Sequence, residues 1–231
     1  MLEILIHMMI TYVLRTLWEN GLMNKKIEAY YDILSRKIKS PYETRNKSKD
    51  FSQYDIFLVK KLADRSKNLL DLGSGTGLLI NSIHNCFKKI VAVEKYKEFS
   101  DFIIRKPNID IINEDITNFK THEKFDIITI FGVMNFFNAQ EAKYVYKKVL
   151  SMMHTNGVLI IKNQFGLNDN VVIDGYSEEL KSNYYSEYRY IDGEINLLQK
   201  IGFNSIEKID IYPKEYNRWS NTHFYALVCK R

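Results

Sequence analysis

Asn68-Leu69-Leu70-Asp71-Leu72-Gly73-Ser74-Gly75-Thr76-Gly77-Leu78 runs as an apolar strand straight into three alternating glycines, with a helical pattern behind them. Glycine tolerates positive φ and has no Cβ, so such a loop turns sharply and lets backbone N–H groups approach a ligand. A dinucleotide fingerprint, G-x-G-x-x-G, would put its third glycine at position 78. That position is Leu78 and the third glycine is Gly77, so the dehydrogenase reading falls and a nucleoside-type cofactor remains. Asp71, two places before Gly73, completes the pattern Asp-x-Gly-x-Gly-x-Gly.

Outward from this loop, strands and helices alternate. Hydrophobic periodicity predicts strands at 68–72, 89–94, 109–113, 125–131, 157–163, 204–212 and 222–230, and helices near 76–88, 96–105, 138–153 and 191–201. Alternation of this kind argues for a parallel sheet with helices on both faces. The loop between Tyr212 and Thr222 is too short for a crossover, so the last two strands should form an antiparallel hairpin. The glycine run resembles motif I of the class I S-adenosylmethionine-dependent methyltransferases. That resemblance implies an α/β, Rossmann-like, seven-stranded sheet with an antiparallel last strand, here with N-terminal helical additions. It also implies S-adenosyl-L-methionine as cofactor and S-adenosyl-L-homocysteine as product.

The resemblance carries over residue by residue. Ile90-Val91-Ala92-Val93-Glu94 ends in a carboxylate 17 residues after Gly77, where the family places the acid that accepts from both ribose hydroxyls. A carboxylate accepts two donors at once, which suits a vicinal diol. Asn113-Glu114-Asp115-Ile116 resembles the adenine site. Asp115 is the expected acceptor for the exocyclic amine, and Ile116 is the ring wall. The fourth strand ends Phe131-Gly132-Val133-Met134-Asn135-Phe136-Phe137, which by resemblance borders the methionine moiety and the reacting methyl. The implied cofactor set is Asp71, Gly73, Ser74, Gly75, Gly77, Glu94, Lys95, Asp115, Ile116, Phe131 and Met134.

The same strand end excludes several reactions. It lacks the Asn/Asp-Pro-Pro-aromatic run of enzymes acting on exocyclic or amide nitrogen, a cysteine nucleophile, and the carboxylate of the metal-dependent catechol type, so no metal is expected. Asn135 is the polar side chain there. An antiparallel last strand starts at the active face, which puts Arg218, Asn221, Thr222 and His223 on its rim. His223 is the candidate general base, and Asn135 and Arg218 complete the catalytic set. Tyr42, Arg45, Tyr188, Tyr216 and Trp219 form the expected substrate rim. Arg45, Lys47, Lys162, Arg189 and Arg218 are the cations available to an anionic acceptor.

Thirty-three basic and 28 acidic residues give a charge of +5 that is spread along the chain, which argues against a nucleic-acid partner. Cys86 and Cys229 form no CxxC pair, so neither a disulfide framework nor a zinc site is expected and the chain reads as cytoplasmic. The uncharged stretch Ile4 to Leu14 is too short to span a membrane. Residues 1–23 read as an extension or docking helix. Residues 24–231 read as a single methyltransferase domain with lid elements at 24–66, 164–190 and 213–221. The expected partners are a small-molecule acceptor and, through the N-terminal helix or lid, a second copy of the chain.

The function expected is small-molecule methylation, with O-methylation of a sugar, sugar-nucleotide or phosphoramidate/phosphate-type intermediate preferred. Tyr42 to Asp50 and the segment Arg218 to His223 look similar to methyltransferases of bacterial surface-polysaccharide clusters, including the capsular methyl phosphoramidate type. Small-molecule N-methylation, an RNA or protein substrate, and a non-catalytic partner subunit are the alternatives.

Overall fold

The computed structural model describes residues 25–44, 51–177, 182–217 and 219–231. The 1–23 extension, Arg45, Lys47 and Arg218 lie outside the described residues. Helix α1 (Lys25–Lys37), a 3-10 turn at Pro41–Thr44 and α2 (Ser52–Lys60) lead into β1 (Asn68–Leu72). Then come α3 (Leu78–Ile83), β2 (Lys89–Val93), α4 (Lys97–Ser100), β3 (Ile109–Ile112), β4 (Phe125–Phe131), α5 (Ala139–Met152) and β5 (Met153–Gly166). The remainder is β6 (Val171–Ser177), β7 (Ser182–Tyr188), α6 (Ile191–Ile201), β8 (Ser205–Asp210) and β9 (Thr222–Lys230).

The main sheet has seven strands in the order β3-β2-β1-β4-β5-β9-β8. Its first five are parallel, and β9 runs antiparallel to both neighbours. This is the seven-stranded topology that the glycine motif implies. Side chains alternate across a strand, so β1 divides its residues between two cores. Leu70 and Leu72 pack with α5 and α6, and Leu69 packs with α2 and α3. Both faces are covered, which is why the central strands read as mainly apolar runs, interrupted at Asp71 in β1, Asp126 and Thr129 in β4 and Lys162 in β5. Helix α5 begins on a capping box: the Asn138 side chain accepts from Glu141 N–H, and the Glu141 side chain accepts from Asn138 N–H.

Three expected elements change and one hairpin is added. The helix expected at 76–88 narrows to Leu78–Ile83 and a 3-10 turn through Cys86, because Gly77 at φ 72 stands before the helix and not in it. The helix expected at 96–105 stops at Ser100. Beyond it the Asn81 side chain donates to Phe102 C=O and accepts from Ile104 N–H, each at 3.0 Å, so that backbone bonds to a side chain. Strand β5 outruns 157–163 because its ladder with β9 continues to Gly166, opposite Thr222. The segment between β5 and α6 carries a hairpin, β6–β7, that the tyrosine-rich sequence did not announce.

A Cβ at Gly77 would lie 2.5 Å from Ile103 Cγ1, at a φ that L-residues rarely adopt. Gly77→Ala is therefore expected to lower the unfolding free energy by about 2–4 kcal/mol, the sum of left-handed strain and overpacking. Urea titration followed by circular dichroism measures it.

Candidate active site

A cavity of about 310 Å³ opens beyond the carboxyl ends of β1, β2 and β4. In open α/β sheets ligands bind in this position. Gly73 and Ser74 donate their N–H groups to Val93 C=O, which pins the glycine loop to β2. At Gly75 (φ 55) nothing stands within 4 Å of where a Cβ would project, and the residue lines the cavity. Any side chain there would take up ligand space.

Glu94 follows β2 and is 7% exposed, with its carboxylate on the cavity wall. Oε2 accepts from Gly75 N–H at 2.8 Å and Oε1 from Tyr96 N–H at 2.9 Å. Each oxygen keeps acceptor capacity toward the cavity. Burial raises its pKa, and those N–H donors pull the other way. Asp115 Oδ1 accepts from Thr117 N–H and hydroxyl, while Oδ2 stands 3.6 Å from Lys95 Nζ. Lys95 also pairs with Glu28 of α1, and Ile116 adds an apolar wall. A paired acceptor, an acid and an apolar wall fit a ribose and an adenine, so the residues present suit S-adenosylmethionine.

The other end of the cavity is aromatic. Phe131, Phe136 and Phe137 line it from β4 and the turn after it, and Tyr31 lines it from α1. The Tyr31 ring meets Phe136 edge-on at 5.4 Å. Lys162 of β5, opposite Phe131 in the β4–β5 register, adds an ammonium. It donates to Asp55 Oδ2 at 2.8 Å and to the Tyr212 hydroxyl at 2.9 Å, and the Tyr212 hydroxyl donates to Asp55 Oδ1 at 2.7 Å. The turn itself is held from behind. Arg189 Nη1 donates to the carbonyls of Met134 and Phe137, and Glu194 takes the rest of the guanidinium.

Of the residues expected from sequence, Gly73, Gly75, Glu94, Lys95, Asp115, Ile116 and Phe131 line the cavity together. Asp71, Ser74, Gly77 and Met134 support it from behind: Asp71 beneath the loop, Ser74 on Val93 C=O, Gly77 against Ile103, and Met134 wholly buried. Two of the three catalytic candidates, His223 and Asn135, do not line the cavity, and Arg218 lies outside the described residues. His223 is 3% exposed, with Nδ1 2.8 Å from Asn217 Oδ1 and Nε2 2.6 Å from Asp210 Oδ1, so both ring nitrogens are engaged on the β8–β9 side. Asn135 is buried and donates to Ser186 Oγ of β7.

The rim residues divide similarly. Tyr188 is buried with its hydroxyl 3.2 Å from that of Tyr184, and the Tyr216 ring packs on Phe51 at 4.2 Å, tilted by 45°. Tyr42 and Trp219 are exposed and line no part of the cavity. Tyr31, Thr44, Tyr96 and Phe99 line it without having been singled out as site residues. Lys162 carried a signal in the sequence, being a charge inside the buried run of β5.

Asp71 is 3% exposed and accepts from the Thr129 hydroxyl at 2.7 Å. Burial raises its pKa from 3.8 to about 6, against the opposing Thr129 bond. Between those values the folded protein holds a proton that the unfolded chain has lost. Stability should therefore fall as pH rises from about 4 to 6, by about 2 kcal/mol from this group. Glu94 acts in the same direction. Urea titrations at both pH values should show a smaller difference for Asp71→Asn than for the wild type.

Residues 69–157 match a protein family described as a methyltransferase domain. Sheet order and motif together define the class I methyltransferase fold. The (S)-coclaurine N-methyltransferase of Papaver somniferum is 25% identical over 122 residues, which are 49% of this chain and 34% of that protein. The chain thus matches about a third of that curated relative's length. Among solved structures, the N-methyltransferase NodS of Bradyrhizobium japonicum WM9, in complex with S-adenosylhomocysteine, is 14% identical with a TM-score of 0.63, covering 87% of this chain and 98% of that one. The 1,6-didemethyltoxoflavin-N1-methyltransferase of Burkholderia thailandensis, with that compound and S-adenosylhomocysteine bound, is 12% identical with a TM-score of 0.66, covering 88% and 89%. Among the described residues, no helix is long and apolar enough to cross a membrane.

Proposed function

We propose that the protein is an S-adenosylmethionine-dependent methyltransferase acting on a small molecule. The observation that carries this reading is Glu94: a buried carboxylate, tethered by the glycine loop, that faces a cavity of small-molecule size. When bound, the cofactor supplies an electrophilic methyl group on a sulfonium. The protein's share of the work is to align the nucleophile with that group and to exclude water. Glu94 and Asp115 fix the nucleoside end. Tyr31, Phe136 and Phe137 wall the reacting end, and the Thr76 hydroxyl donates to Pro41 C=O at 2.7 Å, tying the 41–44 turn over the loop.

Nitrogen is favoured over oxygen as the methylated atom. A hydroxyl must lose a proton, and among the described residues no histidine lines the cavity. The carboxylates that do, Glu94 and Asp115, stand at the nucleoside end. A phosphate or phosphoramidate acceptor would instead call for uncompensated cations. Asp55 balances Lys162, Glu194 and two carbonyls occupy Arg189, and Arg45, Lys47 and Arg218 lie outside the described residues. The relatives named above are N-methyltransferases, in line with this preference.

Isothermal titration calorimetry with S-adenosylhomocysteine tests the cofactor. Saturable one-to-one binding is expected, and absence of binding to the wild type overturns the proposal.

A further inference from the structure

The reacting end of the cavity specifies its acceptor through a phenol, a set of rings and a cancelled charge. The Tyr31 hydroxyl makes no hydrogen bond with the protein among the described residues, although the residue lines the cavity. Desolvation, with the neighbouring Tyr184 and Tyr30 phenols and Glu94, holds its pKa well above the ordinary value. The group is therefore a neutral phenol, able to donate or accept one hydrogen bond and unable to take a proton and keep it. Around it stand the rings of Phe136 and Phe137. The ammonium of Lys162 is matched by Asp55 and lies over the Phe131 ring at 5.1 Å, so among the described residues this pair carries no net charge into this end of the cavity.

We infer that the acceptor is a compact, uncharged nitrogen heterocycle whose ring nitrogen is the nucleophile, laid against the Phe136 and Phe137 rings and oriented by a hydrogen bond between the Tyr31 hydroxyl and a second polar group on the ring. This inference rests on the methyltransferase reading and deepens it. A pyridine-type nitrogen carries a free lone pair at neutral pH, so it needs no base. Its lone pair forms the N–CH3 bond while the S–CH3 bond breaks and leaves its electron pair on sulfur. Sulfur changes from cation to neutral thioether, the ring nitrogen changes from neutral to cationic, and no proton moves. The positive charge thus arrives beside aromatic faces, whose quadrupole attracts a desolvated cation.

The test offers methyl-labelled S-adenosylmethionine with one acceptor at a time: isoquinoline, nicotinamide, phenol, UDP-glucose or glucose 1-phosphate. Mass spectrometry reads label transfer, and calorimetry reads S-adenosylhomocysteine binding in parallel. Label is expected on a heterocycle as the N-methyl cation. Tyr31→Phe should slow transfer to nicotinamide, whose carboxamide offers the hydroxyl a partner other than the nucleophilic nitrogen, by about 3- to 10-fold, the worth of one hydrogen bond, and leave transfer to isoquinoline and S-adenosylhomocysteine affinity within about twofold. Label on phenol or a sugar phosphate in preference to the heterocycles overturns the inference. So does wild-type protein that binds S-adenosylhomocysteine and labels neither heterocycle, and so does a Tyr31→Phe variant that methylates nicotinamide at the wild-type rate. Wild-type protein that binds no S-adenosylhomocysteine overturns the underlying methyltransferase reading instead.

Discussion

Arg189→Met is expected to destabilise the fold by about 3–5 kcal/mol, the cost of stripping one partner from a buried ion pair. Arg189 is 5% exposed and Glu194 is 2% exposed. The guanidinium holds that carboxylate through Nε at 2.7 Å and Nη2 at 2.6 Å, and Glu194 also accepts from the wholly buried Tyr146 hydroxyl. Methionine leaves Glu194 charged without a cation, and it orphans the carbonyls of Met134 and Phe137, which Nη1 reaches at 2.7 and 2.5 Å. Removing both charges in Arg189→Met/Glu194→Leu should recover part of the loss, because two buried charges are then absent together. Urea midpoints of the two variants check this, and an Arg189→Met midpoint equal to the wild type would contradict it. The double variant should still bind ligand more weakly, since the turn carrying Phe136 and Phe137 loses its splint.

Glu94→Ala is expected to weaken S-adenosylhomocysteine binding by about 100-fold or more while leaving the fold intact. Hydrogen bonds to a charged group are worth about 1.5–3 kcal/mol each, so losing two removes more than two decades of affinity. The same substitution should not lower stability at neutral pH. Burial raises the Glu94 pKa, so the ionised carboxylate is held in the folded state at a cost, and alanine removes that cost. Calorimetry and thermal unfolding, run together, separate the two effects. A variant that binds like the wild type would remove Glu94 from the site.

The sequence made the sheet and the nucleoside end legible for one physical reason: both depend on backbone pattern and short spacing. The glycine loop, Glu94 and Asp115 each follow a buried apolar strand, and strand ends in a parallel sheet converge on one rim. The reacting end depends on contacts between distant segments, which periodicity does not record. In the sequence Tyr31 is one of the residues Ile27, Tyr30, Tyr31, Ile33, Leu34 and Ile38 that recur at helical spacing, and nothing local says that α1 lies against Phe136 and Tyr96. His223 was correctly placed on β9, but the side chains of Asp210 and Asn217 that occupy its ring become visible only in three dimensions. The β6–β7 hairpin stayed hidden because its tyrosines alternate only weakly with polar residues.

Strand β9 follows all the others in sequence yet lies inside the sheet, between β5 and β8. Within that sheet β8 is held through β9 alone. During synthesis, then, β8 emerges before the strand it must pair with, and β5 waits with an open edge until residues 222–230 arrive. The parallel half of the sheet, which carries the glycine loop, Glu94 and Asp115, has no such dependence and is free to assemble while the chain is still growing. The order of assembly is therefore written into the strand order: the ligand-facing half first, and the far edge only after the ribosome has passed residue 230.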